Sequence, residues 1–176
     1  MNFRRTEIEE VIIIEPQVYG DERGYFLETF RADKLEKFLG YKINFCQDNE
    51  SKSFRGVLRG LHYQLAPAAQ TKLVRVIRGS VLDIAVDIRK GSPTFGKHIS
   101  VVLTGENKHQ LLVPRGFAHG FVVLEDDTVF AYKVDNFYSP ENDRGILFSD
   151  ESLGIDWKVL HNELNLSEKD KLQPKL

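Results

Sequence analysis

The sequence predicts an all-β fold, an antiparallel sandwich or barrel with jelly rolls among the options, carrying a few short helices. Three observations predict it. Short segments rich in Val, Ile, Phe and Tyr recur along the 176 residues. Gly, Pro, Asn or Asp bound most of them, and helical periodicity is scarce. In order the segments are VIIIEP, GYFLETF, INFCQ, TKLVRVI, VLDIAVDI, HISVVL, HQLLVP, HGFVVL and TVFAYKV, with RGLHYQ showing similar alternation. That many strands at such spacing suit two packed antiparallel sheets or a closed barrel.

Two helices are expected. Arg31–Leu39 puts Leu35, Phe38 and Leu39 on one side. A second lies near Ser167–Leu172, where Ser167-x-x-Asp170 is a capping box, and local capping accounts for Asp170 by itself.

The stretch TKLVRVIRGSVLDIAVDIR reads as a β-hairpin. Gly79-Ser80 suits a two-residue type II′ turn, because glycine supplies the positive φ at its first central position. If Arg78 pairs with Val81, Val76 faces Asp83, Val74 faces Ala85 and Lys72 faces Asp87. Alternation then gathers Lys72, Val74, Val76, Val81, Asp83, Ala85 and Asp87 on one face. The opposite face carries Leu73, Ile77, Leu82, Ile84, Val86 and Ile88, interrupted by Arg75. A packed apolar face thus backs one where a lysine and two carboxylates stand among small aliphatics, the pattern of a barrel interior holding a polar site.

Length fits one domain, residues 1–176. With 41% hydrophobic and 28% charged residues the composition is that of an ordinary globular protein. A formal charge of -2 gives no basic field for nucleic acid or an anionic membrane. Cys46 is the only cysteine, which excludes an internal disulfide and fits a reducing compartment. It reads as an inert, buried strand residue with no basic activator nearby. MNFRRTEIEEV lacks the apolar stretch of a signal peptide, and runs such as VIII are too short to span a bilayer. A cytoplasmic location is expected.

Among five histidines, His98, His109 and His161 lie in polar surroundings and carry no assigned role. His62 and His119 each abut a glycine within or beside an apolar strand. A single such histidine is ordinarily a neutral core residue held by a hydrogen bond. Two of them beside Lys72, Asp83 and Tyr132 are more titratable groups than a core needs. Metal binding fits poorly. Jelly-roll enzymes of the cupin type use H-x-H, a following Glu and a later His, whereas here His62-Tyr63-Gln64 ends in a poor ligand and no glutamate follows within the next ten residues. No metal is expected. Neither G-x-S-x-G nor a phosphate-binding or dinucleotide fingerprint occurs, so no cofactor is expected either.

Acid–base chemistry remains. His62 is a candidate base, with Asp83 on the interior face as the carboxylate that orients it. Tyr132 shares its strand face with Phe130 and Val134, and Lys72 could stabilise an oxyanion. A base, a weak acid and a cation around an apolar cavity suit proton abstraction next to a carbonyl. Arg23, Arg59, Gln47 and Asn49 add polar recognition, the last two sharing one strand face. Strict alternation puts Arg59 and His62 on opposite faces, so both reach one ligand only if the strand bulges at Gly60.

Seven stretches occur in one order over most of the chain: GDERGYFLETF, FCQDNES, GVLRGLHYQ, KLVRVIRGSVLDIAVDIRKGSPTFG, VPRGFAHGFVVL, YKVDNFYSPENDRGI and IDW. Together they resemble the dTDP-4-dehydrorhamnose 3,5-epimerase family, also called dTDP-4-keto-6-deoxyglucose 3,5-epimerase. The resemblance implies a cupin-like jelly-roll fold, no metal, a homodimer and a role in dTDP-L-rhamnose synthesis. It implies inversion of dTDP-4-dehydro-6-deoxy-D-glucose at C3 and C5. By that match His62 is the base, Asp83 its carboxylate, Tyr132 the proton donor on the opposite face of the sugar, and Lys72 the lysine near the C4 oxygen.

The same match puts Arg59, His119, Gln47, Asn49 and Lys169 on substrate-binding positions, and makes Tyr138 resemble the aromatic that stacks on the thymine ring. Arg23 and Glu28, with Phe26 on the same early strand, resemble residues that one chain lends to its partner's site. Asp143 stands where many members carry glutamate, one methylene longer, which weakens the transfer of a substrate contact there. Asp170 matches a site carboxylate, but its capping position explains it without one. Two neighbouring readings stay open: an epimerase of the family that inverts only C3, and a non-catalytic sugar-nucleotide-binding cupin.

Overall fold

The computed structural model describes residues 1–176. In chain order it forms β1 (Asn2–Arg5), β2 (Ile12–Glu15), β3 (Val18–Asp21), β4 (Gly24–Leu27), α1 (Ala32–Leu39), β5 (Gln47–Ser53), β6 (Leu58–Gln64) and β7 (Lys72–Arg78). There follow β8 (Ser80–Asp87), β9 (His98–Thr104), β10 (Gln110–Val113), β11 (Phe117–Val123), β12 (Thr128–Val134), β13 (Asp143–Gly145) and α2 (Glu168–Lys171). Six strands make one sheet in the order β1-β2-β10-β7-β12-β5, and five make a second in the order β13-β6-β11-β8-β9. Every ladder is antiparallel. The expected all-β sandwich is therefore present.

Side chains from both sheets meet in one core: Val74, Val76 and Phe130 from the first, and Val81, Ala85 and Phe121 from the second. The outer faces are covered too. Leu58, Leu61, Leu82, Ile84 and Val86 pack under the C-terminal segment with Phe148 and Trp157. On the other side Leu35 of α1 lies on Ile12, Ile14, Leu73 and Leu112, with Phe38 and Leu39 alongside. Central strands buried on both faces explain the nearly continuous apolar runs. No helix is long and apolar enough to cross a membrane.

The expected hairpin does not form. β7 lies between β10 and β12, whereas β8 lies between β11 and β9. Gly79, at φ 78°, steps the chain from one sheet to the other. The facing of Val76 with Asp83 and Lys72 with Asp87 as ladder partners is thus wrong. The inward set survives for Val74, Val76, Val81, Asp83 and Ala85, all buried. Alternation fixes which side chains share a face, but a left-handed glycine can close a hairpin or cross between facing sheets. Asp87 ends β8 and is occupied by Arg89, Ser92 and Thr94.

Two further expectations change. INFCQ is not a strand over Ile43–Cys46; β5 begins at Gln47 and runs through the polar QDNESKS. It is a sheet edge, where polar outward residues are usual. Cys46 is exposed, not buried, because it precedes that strand. The segment GYFLETF contributes β4, which pairs only with β3 in a separate ribbon whose Tyr19, Tyr25 and Phe26 are more than half exposed.

Candidate active site

A cleft of about 660 Å³ opens between the two sheets. β5, β7 and β12 supply Asn49, Lys72 and Tyr132 from one sheet. β6 and β11 supply Arg59, His62 and His119 from the other, and residues 165–170 close one side. Phe121 and Phe130, stacked with centroids 4.0 Å apart, form an apolar wall.

The β6–β11 ladder shows how RGLHYQ places two polar side chains on one face. Arg59 pairs with Phe121 and His62 with His119, so β6 advances from 59 to 62 while β11 advances from 119 to 121. The extra residue is the expected bulge. Gly60 sits there at φ 126°, and a Cβ on it would lie 2.5 Å from Gly120 Cα and 2.8 Å from the His119 carbonyl oxygen. Leu58 and Leu61 point into the outer core while Arg59 and His62 face the cleft.

His62 does not bond Asp83. Its Nε2 lies 2.5 Å from Asp170 Oδ1, and Asp83 holds the Nε2 of His119 at 2.9 and 3.0 Å instead. The expected His62–Asp83 pair is corrected accordingly. The reason is positional. Asp83 pairs across the ladder with Phe121, next to His119 on β11, whereas His62 lies one strand further out, within reach of α2. The capping reading of Asp170 is half right: its backbone N–H donates to the Ser167 hydroxyl at 3.2 Å, which leaves the carboxylate free to meet His62. Burial pushes the Asp170 carboxyl up, but His62, the Ser167 hydroxyl and the Gly60 backbone outweigh it and hold the pKa below the ordinary value.

Burial pulls the Lys72 ammonium down to about 8, against the opposing pull of Asp83 and Asp143. Asp83, fully buried, is pushed up by burial and drawn back by His119 and Lys72. Burial also raises the Tyr132 phenol, with Arg59 lowering it in part. Tyr132 therefore keeps its proton through the neutral range. His62 and Tyr132 stand on opposing sheets with the cleft between them.

Of the remaining residues, Gln47 donates to Asn49 at 2.7 Å on the face that both were expected to share. Lys169 lines the cleft and binds Asp143, whose Oδ2 also accepts from the Tyr138 hydroxyl at 3.2 Å. Asp143 is thus engaged by two neighbours within the chain. Arg23, Phe26 and Glu28 do not join the cleft of their own chain; Arg23 binds Asp21, and Glu28 binds Arg31 and Lys34. No three His, Cys, Asp or Glu side chains converge as a metal-ligand set. Sequence reasoning set Asp170 aside and missed Phe121, Asn165 and Ser167. Phe121 carried a signal, since it alternates with His119 along β11.

Comparison with known proteins agrees with this geometry. The profile of the family described as dTDP-4-dehydrorhamnose 3,5-epimerase matches residues 5–176. The enzyme of that name from Shigella flexneri is 59% identical over 97% of this chain and 93% of its own. The crystal structure of that enzyme from Elizabethkingia anophelis NUHP1 superposes with a TM-score of 0.96 at 50% identity, covering 99% of this chain and 96% of the other. A dTDP-6-deoxy-D-glucose-3,5-epimerase from Legionella pneumophila Philadelphia 1, solved in complex with dTDP-4-keto-L-rhamnose, gives a TM-score of 0.95 at 50% identity, over 99% and 92% of the two chains. Fold, cleft and near full-length similarity together make the chain a member of the dTDP-4-dehydrorhamnose 3,5-epimerase family.

Proposed function

We propose that the chain inverts dTDP-4-dehydro-6-deoxy-D-glucose at C3 and C5, giving dTDP-4-dehydro-L-rhamnose. One observation carries this reading: His62, backed by a buried carboxylate, and Tyr132, still protonated, come from opposing sheets into one cleft that also holds Lys72. The hydrogens on C3 and C5 are acidified by the C4 ketone between them. His62 takes one as a proton, the electron pair moves into the carbonyl, and Lys72 holds the resulting enolate oxygen. Tyr132 then delivers a proton to the same carbon from the other face, and the configuration inverts. Solvent removes the proton from His62 and restores that of Tyr132, so the two groups are ready for the second carbon. Neither step needs a metal or a redox cofactor.

Arg59, His119, Gln47, Asn49 and Lys169 are proposed to hold the nucleotide and sugar, with Tyr138 stacking on thymine. Residues 1–176 are proposed to act as one domain. A homodimer is proposed as well, because Arg23, Phe26 and Glu28 lie on or beside an exposed aromatic ribbon away from their own cleft. There they could complete the cleft of a second copy. The single, unpaired Cys46 fits the cytoplasm as its compartment.

Incubation with the 4-keto substrate in deuterated water, followed by NMR, tests the reading. Deuterium at both C3 and C5 of an L-configured product is expected. Deuterium at C3 alone identifies a C3 epimerase, and no exchange at either carbon leaves a binding protein.

A further inference from the structure

Gln64 is a poor metal ligand by its chemistry, and it does not line the cleft. It ends β6, two residues beyond His62, and is only 8% exposed. Its buried amide is fully engaged. Nε2 donates to the Ala68 carbonyl at 2.7 Å and to the Phe137 carbonyl at 3.2 Å. Oε1 accepts from the Ser139 backbone N–H at 2.7 Å. Reversing the amide would set N–H against N–H and oxygen against two carbonyls, so one orientation alone satisfies all three partners. A satisfied buried amide of this kind fixes the backbone it touches.

That backbone lies on both sides of Tyr138. The tyrosine makes no backbone-to-backbone hydrogen bond of its own, and it is 58% exposed. Its hydroxyl reaches Asp143, but only from the far end of the ring. Other bonds hold one flank each. Gln70 donates to the Asn136 carbonyl at 2.7 Å, and the Asn136 amide donates to the Pro67 carbonyl at 3.0 Å. On the other side the Asn142 amide donates to the Ser139 hydroxyl at 2.7 Å. Gln64 alone reaches both neighbours of Tyr138. It also pairs across the ladder with Asp143, which Lys169 ties to the cleft rim.

We propose that Gln64 is a positioning residue for the nucleotide, holding Tyr138 ready to stack on thymine before dTDP arrives. This role rests on the stacking proposed for Tyr138 above. An aromatic on a loose loop has to be ordered when the ligand binds, which costs affinity; one already held avoids that cost. Thymine lies far from the reacting carbons and is held alike in ground and transition states. The gain therefore falls on KM and on dTDP affinity, and leaves the rate at saturation unchanged.

The experiment is dTDP calorimetry, with deuterium wash-in kinetics on the 4-keto substrate, for the wild type, Q64M, Q64E, Y138A and Q64M/Y138A. Melting curves run in parallel confirm folding. Q64M keeps the length of the side chain and removes all three bonds. It should weaken dTDP about tenfold, within the range that base stacking on an aromatic covers. KM should rise to match, with the rate at saturation within about twofold of wild type. In the Y138A background Q64M should cost no further affinity, because residues that act as a unit are not additive. A folded Q64M with wild-type affinity, or a loss that persists undiminished in Y138A, overturns the assignment. If Q64M does not fold, Q64E is read the same way, since it keeps the acceptor for Ser139 and loses both donations. If neither folds, hydrogen exchange of the wild type decides. The Ser139 amide should be protected without dTDP, and exchange at the rate of an open amide overturns the role. Undiminished dTDP affinity in Y138A overturns the stacking reading, and this role with it, whereas a weakened Y138A beside a normal Q64M overturns only the role of Gln64.

Discussion

His62 stands directly across the β6–β11 ladder from His119, yet each ring is held by a different carboxylate. Side chains opposed in an antiparallel pair sit about 5 Å apart at Cβ, so two imidazolium ions there would repel. Separate counter-charges let the two rings behave differently. In the proposed reaction Asp170, its pKa held below the ordinary carboxylate value, meets the proton that His62 takes from the substrate, while Asp83 holds His119.

His62→Asn should lose deprotonation at both carbons while still binding dTDP. General base catalysis is worth about 10²–10⁴-fold, and wash-in should fall by that order. Asp170→Asn should impair exchange without eliminating it, since an amide still fills the space but no longer stabilises the imidazolium. The bond from its N–H to Ser167 survives the change, so α2 should stay capped. Solvent exchange by NMR, with dTDP affinity by calorimetry, checks both variants. Wild-type exchange in Asp170→Asn would return the supporting role to another group.

Much of the site was legible in sequence. Tyr132 followed from the face it shares with Phe130, and Gln47 with Asn49 from their two-residue spacing. The bulge at Gly60 followed from the need to turn Arg59 and His62 the same way. What failed was pairing over distance. Asp83 and His62 both face inward, but alternation says nothing of which inward residues touch, and the partner of His62 arrives from a helix 108 residues away. Gly79 misled for a related reason, because a positive φ serves a hairpin and a step between sheets equally well. The edge strand β5 escaped in part because a polar edge resembles a loop.

Gly60→Ala should cost stability and activity together. The residue is at φ 126°, and the added methyl would meet the backbone of Gly120 and His119 at 2.5 and 2.8 Å. Strained backbone of this kind costs about 1–3 kcal/mol before the clash is relieved. Relief moves β6 away from β11, carrying Arg59 and His62 with it. A lowered melting temperature with at least a tenfold loss of exchange is the expected result. A variant with wild-type melting and wild-type rate would show that the bulge does not set the site.

Asp87 allows a test of stability apart from catalysis. Burial raises its pKa, but the bonds from Arg89, Ser92 and Thr94 outweigh that and hold it far below the ordinary carboxylate range. With a depressed folded pKa, its contribution is complete above the unfolded value of about 4 and is lost as pH falls toward the folded one. Asp87→Asn should therefore destabilise by about 2 kcal/mol at pH 7, the order of a charged hydrogen-bond set left imperfectly matched. The gap from wild type should narrow as pH falls below about 4. Urea unfolding at several pH values gives the answer; a gap that is constant with pH would mean that the carboxylate charge is not what matters.

Tyr132→Phe should separate exchange from inversion. Inverting a carbon requires hydrogen to leave from one face and return to the other. His62 alone can only give a proton back to the face it came from, which restores the substrate. A second donor must lie across the cleft, and Tyr132 is placed for it, on the sheet opposite His62 and protonated at working pH. Lys72 still holds the enolate in the variant, so deprotonation need not stop. In deuterated water the variant should keep deuterium wash-in at C3 or C5 while inverted product falls by orders of magnitude. The phenyl ring preserves the packing of Tyr132 against the inner core, so the melting temperature should move little. The decisive quantity is the ratio of exchange to inversion. If both fall together in a folded protein, Tyr132 acts before or during deprotonation; if inversion persists, another acid is the donor and the role proposed for Tyr132 is wrong.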